Sequence, residues 1–123
     1  MCREWYGMNW IRKCLRLAIH MRDHGRCVYC EGSDKLTLDH LRPASKGGSN
    51  KPRNLVTACL SCNSSRGDTP WWEYADKWPG AAGRIQRFRR RSVKHLRPLA
   101  RVALEQANNN VRSALDSSAQ EQA

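Results

Sequence analysis

The chain has 123 residues, 40% of them hydrophobic and 27% charged, with a mean hydropathy of −0.76, enough for one domain with appendages around a modest apolar core. Its 22 Lys and Arg stand against 11 Asp and Glu, giving a formal charge of +11 and a pI near 10.0. That excess argues against an ordinary near-neutral enzyme and for a polyanionic partner, nucleic acid before an anionic membrane surface.

No segment has the length and apolarity of a transmembrane helix, and the first residues lack a signal peptide's uninterrupted apolar stretch. A cytoplasmic protein without membrane association is therefore expected. In chain order, residues 8–24 predict an amphipathic helix. Trp10, Ile11, Cys14, Leu15, Ala18 and Met21 share one face, Arg12, Lys13, Arg16 and Arg22 point elsewhere, and Gly25 is the stop. His20 and His24 stand four apart on this helix but have no evident third ligand, so surface or capping roles are expected.

A Cys27-Val-Tyr-Cys30 turn follows. Leu36–Leu38 reads as a short strand ending in Asp39-His40, and a loop rich in turn formers runs from Arg42 to Asn50. Asn54–Thr57 reads as a second strand segment. After Cys59-Leu-Ser-Cys62, Asn63–Arg66 opens a short helix closed by Gly67. Asp68 or Thr69 is a candidate cap for another helix, with Pro70 in its first turn. Trp71, Trp72, Tyr74 and Trp78 are expected to close a small core against the first helix, with stacking on bases as the alternative. Residues 84–101 hold eight cations and no acid. They predict a basic helix, kinked or restarted at Pro98 and ended at Asn108–Asn110, with a frayed polar tail beyond.

Six cysteines are present: Cys2, Cys14, Cys27, Cys30, Cys59 and Cys62. Without a secretory signal a disulfide framework is not expected. Cys14 is assigned to the core as a small apolar residue, and Cys2 is incidental. The two Cys-x-x-Cys pairs, separated by 28 residues, suit one tetrahedral Zn2+ held by Cys27, Cys30, Cys59 and Cys62. Four unrelated thiols or a redox pair are the alternatives, but a redox pair needs only one Cys-x-x-Cys in a βαβ setting. A filled four-cysteine site has no open position, so it staples the fold rather than catalysing.

Asp39-His40 lies between the pairs and Asn63 abuts the last cysteine. Leu38–Pro43, Ser45–Gly48, Asn54-Leu55, Cys59-x-x-Cys62-Asn63 and Arg66–Pro70 resemble the HNH endonucleases with a ββα-metal active site, in their four-cysteine, stand-alone bacterial and phage branch. The resemblance covers roughly residues 20–70. It implies an α+β fold: a small ββα-metal, treble-clef-like core stapled by zinc and flanked by N- and C-terminal helices. It also implies DNA phosphodiester hydrolysis leaving 5′-phosphate and 3′-hydroxyl ends. His40 is then the general base, Asp39 and Asn63 ligate a catalytic Mg2+ or Mn2+, and Asn54 holds the loop and the histidine in place. Arg66 stands where many relatives have lysine. The chemistry is coherent on its own terms. A neutral imidazole can activate water near pH 7, and oxygen ligands suit a hard cation that steadies the phosphate and the leaving oxygen.

The expected organisation is a helix plus nuclease core over residues 1–80, a basic helical extension over 81–110 and a disordered tail over 111–123. Double-stranded DNA is the expected partner, met by Arg66, Arg84, Arg87, Arg89, Arg90, Arg91 and Lys94 with little base readout. Nicking is expected, since one HNH site cuts one strand, with a homodimer or larger assembly if both strands break. The rivals are a catalytically idle zinc module that binds DNA or RNA, and a structural zinc protein that docks onto a larger assembly.

Overall fold

The computed structural model describes residues 8–122, with side chains over residues 13–111. The fold is α+β, with one two-stranded antiparallel sheet and five α-helices among the described residues. Helix α1, Met8–Arg22, leads to the first cysteine turn and then to strand β1, Leu36–His40. A loop with two 3-10 turns, Ala44–Lys46 and Pro52–Asn54, returns the chain to β2, Leu55–Cys59. Helix α2, Leu60–Arg66, follows directly, then α3, Trp71–Ala75, α4, Ala81–Arg90, and α5, Leu96–Gln122.

The α1 stop uses two left-handed residues, His24 at φ 62° and Gly25 at φ 66°. The Gly25 amide bonds the His20 carbonyl at 2.8 Å, closing the helix end. The apolar face holds: Cys14 and Ala18 are buried, and Leu15 and Met21 pack against the same cluster. The side chains of Trp10, Ile11 and Arg12, and the whole of Cys2, lie outside the described residues. Cys14 is disulfide-bonded as well as buried, so it is more than a core filler.

Arg22 does not point to solvent. It is 3% exposed, pairs with Asp23 at 2.7 Å, and donates to the carbonyls of Pro52 and Leu55. Asp23 in turn accepts from the Thr57 amide at 2.8 Å. Nor is His20 a surface or capping residue. It is half-buried, with Nδ1 2.8 Å from Thr57 Oγ1. These contacts sew the end of α1 to β2, and a lone polar letter in a helical pattern does not reveal them.

The β1–β2 register pairs Leu36 with Cys59, Leu38 with Thr57 and His40 with Leu55. Every residue of β2 is buried, because the strand has α1 on one side and the cysteine turns and α4 on the other. One apolar cluster joins Val28, Tyr29, Leu41 and Val56 to Tyr74, Ile85 and Phe88. A second joins Ala18, Ile19 and Leu55 to Val93 and Ala100.

The aromatic segment therefore closes on the cysteine turns rather than on α1. Tyr74 meets Tyr29 edge-on at 4.9 Å, while Trp72 stays 57% exposed. Helix α2 starts at Leu60, three residues earlier than expected, because Cys59 caps it through its sulfur. Pro70 itself caps α3, with no side-chain bond from Asp68 or Thr69.

The C-terminal region is two helices, not one basic helix, and the break is at residues 91–95 rather than at Pro98. Val93 is buried and anchors the turn, and the Ser92 hydroxyl accepts from the Lys94 amide. Pro98 sits in the first turn of α5, where its missing N–H has no intrahelical partner to lose. Asn108–Asn110 does not end the helix, which continues to Gln122. Asn is a mild helix penalty, and no Gly or Pro follows to stop the run.

Candidate active site and metal centre

The cysteine turns are built by backbone bonds that curl each segment around its sulfurs. The Cys27 amide bonds the Gly32 carbonyl at 2.8 Å, the Glu31 amide bonds the Cys27 carbonyl, and Val28 N–H reaches Thr57 O on β2. The second turn is the β2–α2 junction, where the Cys62 amide donates to Cys59 Sγ at 3.3 Å. All four Sγ atoms lie within 4.8 Å of one another, and Cys30 and Cys59 stand 3.7 Å apart. A tetrahedral zinc–thiolate site with bonds of about 2.3 Å puts sulfurs roughly 3.8 Å apart, so the set fits one Zn2+.

Burial pushes the Cys27 and Cys62 thiols up from their usual range. Cys30 is drawn down: the Gly32 amide and the neighbouring thiols outweigh its burial. A divalent cation favours the thiolate at every position.

Arg84 braces the first turn. Its guanidinium donates to the Val28 and Tyr29 carbonyls at 2.9 Å each and faces Glu31 at 3.3 Å. It was expected at a phosphate, and its donors turn inward instead.

His40 ends β1, half-buried, beside a cleft of about 450 Å³ lined in part by Arg16, Thr37, Leu38 and Asn50. Its Nε2 donates to Asn50 Oδ1 at 2.8 Å. Because an amide oxygen can only accept, a neutral imidazole making this bond has its acceptor nitrogen at Nδ1.

Asp39, one residue earlier, faces the other way, as alternate strand residues do. It is 5% exposed, accepts from Arg66 Nη1 at 2.7 Å and from the Tyr29 hydroxyl at 3.2 Å. Burial pushes its carboxyl above the usual range, against the opposing pull of Arg66 and Tyr29. The Tyr29 hydroxyl is pushed far up by the same burial and by Asp39, so it remains a donor.

Asn63, on α2, donates from Nδ2 to Thr37 Oγ1 at 3.0 Å and to the Leu38 carbonyl at 3.4 Å. This sets it against β1 just ahead of Asp39. Asn54 is buried and clasps the loop between the strands. Its Oδ1 accepts from the Arg42 amide at 2.8 Å, and its Nδ2 donates to the carbonyls of Arg42 and Ser49 at 3.1 and 2.8 Å.

Arg66 departs from its expected place. It is 3% exposed and donates to Asp39 and to the carbonyls of Thr69, His40 and Leu41. It clamps the end of β1 rather than meeting a phosphate. Of the other expected DNA contacts, Arg87, Arg90, Arg91 and Lys94 are exposed. Arg89 is half-buried, donates to the Arg53 carbonyl at 2.9 Å, and is drawn below its usual pKa by burial and by Arg53 and Arg90.

Two residues close to the site are not visible as such in the sequence. Tyr29 lies inside the first Cys-x-x-Cys, where an aromatic between two ligands could have signalled an interior hydroxyl. Asn50 sits at the end of a turn-rich loop and carries no signal of its own.

Family comparison bears on the same stretch. Residues 27–70 match the HNH endonuclease family. The matched segment holds both cysteine turns, the β-hairpin, α2 and the turn into α3. The chain is also similar to two proteins named CRISPR-associated endonuclease Cas9. That of Actinomyces naeslundii is 42% identical over 55 residues, 42% of this chain and 5% of the relative. That of Corynebacterium diphtheriae is 37% identical over 54 residues, 41% of this chain and 5% of the relative. The chain therefore spans about 5% of the length of the curated relatives it matches. No described helix is long and apolar enough to cross a membrane.

Proposed function

We propose that the protein is a divalent-metal-dependent endonuclease that hydrolyses DNA phosphodiester bonds with His40 as general base. The observation that carries this is the His40–Asn50 contact within the HNH segment. It orients the imidazole at the edge of an open cleft and leaves Nδ1 to take a proton from water, a role worth roughly 10²–10⁴-fold. Zn2+ on the four cysteines holds the hairpin to α2.

A Mg2+ or Mn2+ would be held by Asp39 and Asn63. Arg66 and Tyr29 occupy one lone pair on each Asp39 oxygen, and an ionised carboxylate has about four acceptor sites. Asn63 directs Nδ2 inward, and its Oδ1 is the atom suited to a hard cation. When bound, such an ion neutralises phosphate charge and steadies the leaving 3′ oxygen.

Cleavage is taken to nick one strand of duplex DNA with little sequence preference, leaving 5′-phosphate ends. Double breaks need a second copy, and the setting is a bacterial or phage-infected cytoplasm. Residues 1–80 act as the nuclease unit, residues 81–110 as a basic extension, and residues 111–123 as a tail outside the chemistry.

One observation favours a second reading, a catalytically idle module that binds DNA or RNA: Asp39 is closed off by Arg66 and Tyr29. Plasmid cleavage in magnesium or manganese separates the two, with wild type beside His40→Ala at equal zinc content. Cutting by the wild type alone is the expected result. Equal cutting by both sinks the His40 assignment, and no cutting with DNA binding intact selects the idle module.

A further inference from the structure

The break between α4 and α5 makes a groove that no single helix face contains. One wall is the 3-10 turn after the loop, with Lys51 and Arg53 on either side of Pro52. The other is the end of α4 and the start of α5, with Arg89, Arg90, Arg91, Lys94 and Arg97. The groove measures about 490 Å³, and no acidic residue lines it.

We propose that this groove is a second nucleic-acid site that holds the sugar–phosphate backbone of duplex DNA beside the His40 cleft. The proposal rests on the nuclease reading for its purpose but not for its test.

Three observations carry it. The first is crowding: Arg53, Arg89 and Arg90 stand close enough that Arg89 is drawn below its ordinary pKa by burial and by these two neighbours. Like charges gathered without an acid are relieved by an anion. The second is an orphan donor: the buried Nε of Arg97, on the groove wall, has no acceptor among the described residues, and buried N–H groups without partners are rare. The third is position. Asn50 holds His40, and Lys51 is the next residue, one Cα step of about 3.8 Å away. A backbone with one phosphate at His40 can run on into the groove.

No aromatic residue lines the groove, so it lacks a stacking platform for unpaired bases. That favours an intact duplex, followed through its phosphates. The site differs from the basic helix expected from sequence. Lys51 and Arg53 enter it, Arg84 turns to the first cysteine turn, and Arg87 and Arg101 stand outside the lining.

The test measures binding of a short mixed-sequence duplex across a salt series without added magnesium or manganese, using the zinc-loaded 123-residue chain carrying His40→Ala. On that background, Lys51→Gln, Arg90→Gln and Lys94→Gln are combined. A control combines Lys13→Gln, Lys35→Gln and Lys77→Gln, the same charge change at exposed positions elsewhere. Zinc content and circular dichroism verify folding of both.

The slope of log K against log salt changes by about 0.9 for each phosphate that the protein ceases to neutralise. The groove variant should lose two to three such units and the control almost none. Equal losses in both would assign binding to net charge and overturn the groove, as would an unchanged groove variant. A preference for single strands, RNA or anionic vesicles over the duplex would overturn the proposed ligand. Because binding is read without cleavage, an inactive wild type would defeat the nuclease reading and leave this result standing.

Discussion

At the scale of single residues, Arg66 shows how a cation in a motif can be held inside the protein. Its guanidinium ties four oxygens together across the end of β1, α2 and the turn to α3. An ammonium at the same position cannot span them. Arg66→Met leaves Asp39 buried beside only Tyr29 and should cost about 3–5 kcal/mol in urea unfolding, with Arg66→Lys intermediate. A change within error for Arg66→Met would mean the clamp carries no stability.

His20 supplies a pH dependence. Burial, opposed by Asp23, lowers its pKa from 6.5 in the folded protein, so the unfolded chain takes up the proton first. The stabilising contribution is complete above pH 6.5 and declines as pH falls toward the folded pKa. Denaturant midpoints measured down this range should decline for wild type and decline less for His20→Gln.

The sequence singled out Asp39, His40, Asn54 and Asn63 as candidates because their order and spacing together resemble one family's pattern. It did not reveal that Arg22 and Arg66 are interior, because a buried guanidinium is paid for by carbonyls brought from distant segments.

At the scale of elements, the cysteine turns and strands were legible because spacing and alternation are local properties. The α4–α5 break was not, because charge runs unbroken across it while its cause, Val93 entering the α1–β2 cluster, is tertiary. The cysteine turns make the sharpest prediction at this scale. Residues 23–35 contain no regular helix or strand, and their backbone bonds close around sulfur. Structural zinc is worth on the order of 10 kcal/mol to domains of this kind. Cys62→Ala, or strong chelation, should abolish cooperative thermal unfolding followed by circular dichroism. Retention of a sharp transition at unchanged temperature would show that the fold stands without the metal.

At the scale of the whole molecule, two clusters share β2 as their common wall, and the second exists only because α5 folds back on α1. Ala18 and Ala100, both fully buried, belong to that cluster. Ala100→Leu should overpack it, costing about 1–3 kcal/mol in denaturant unfolding without altering zinc content. A stabilised variant would reveal spare room between α1 and α5. This long-range closure was invisible in the sequence, which predicted a basic extension and not a partner for the first helix.

Asn54 has a practical corollary. By gripping Arg42 at one end of the loop and Ser49 at the other, one amide ties the neck of residues 43–48 like a drawstring. Gly48 is fixed at that neck, since a Cβ there would strike the Arg42 carbonyl. Neither strand registers the length of chain hanging beyond the knot. The exposed stretch at Ser45–Lys46 is therefore a natural grafting port, where foreign sequence can be added while the paired strands stay in step.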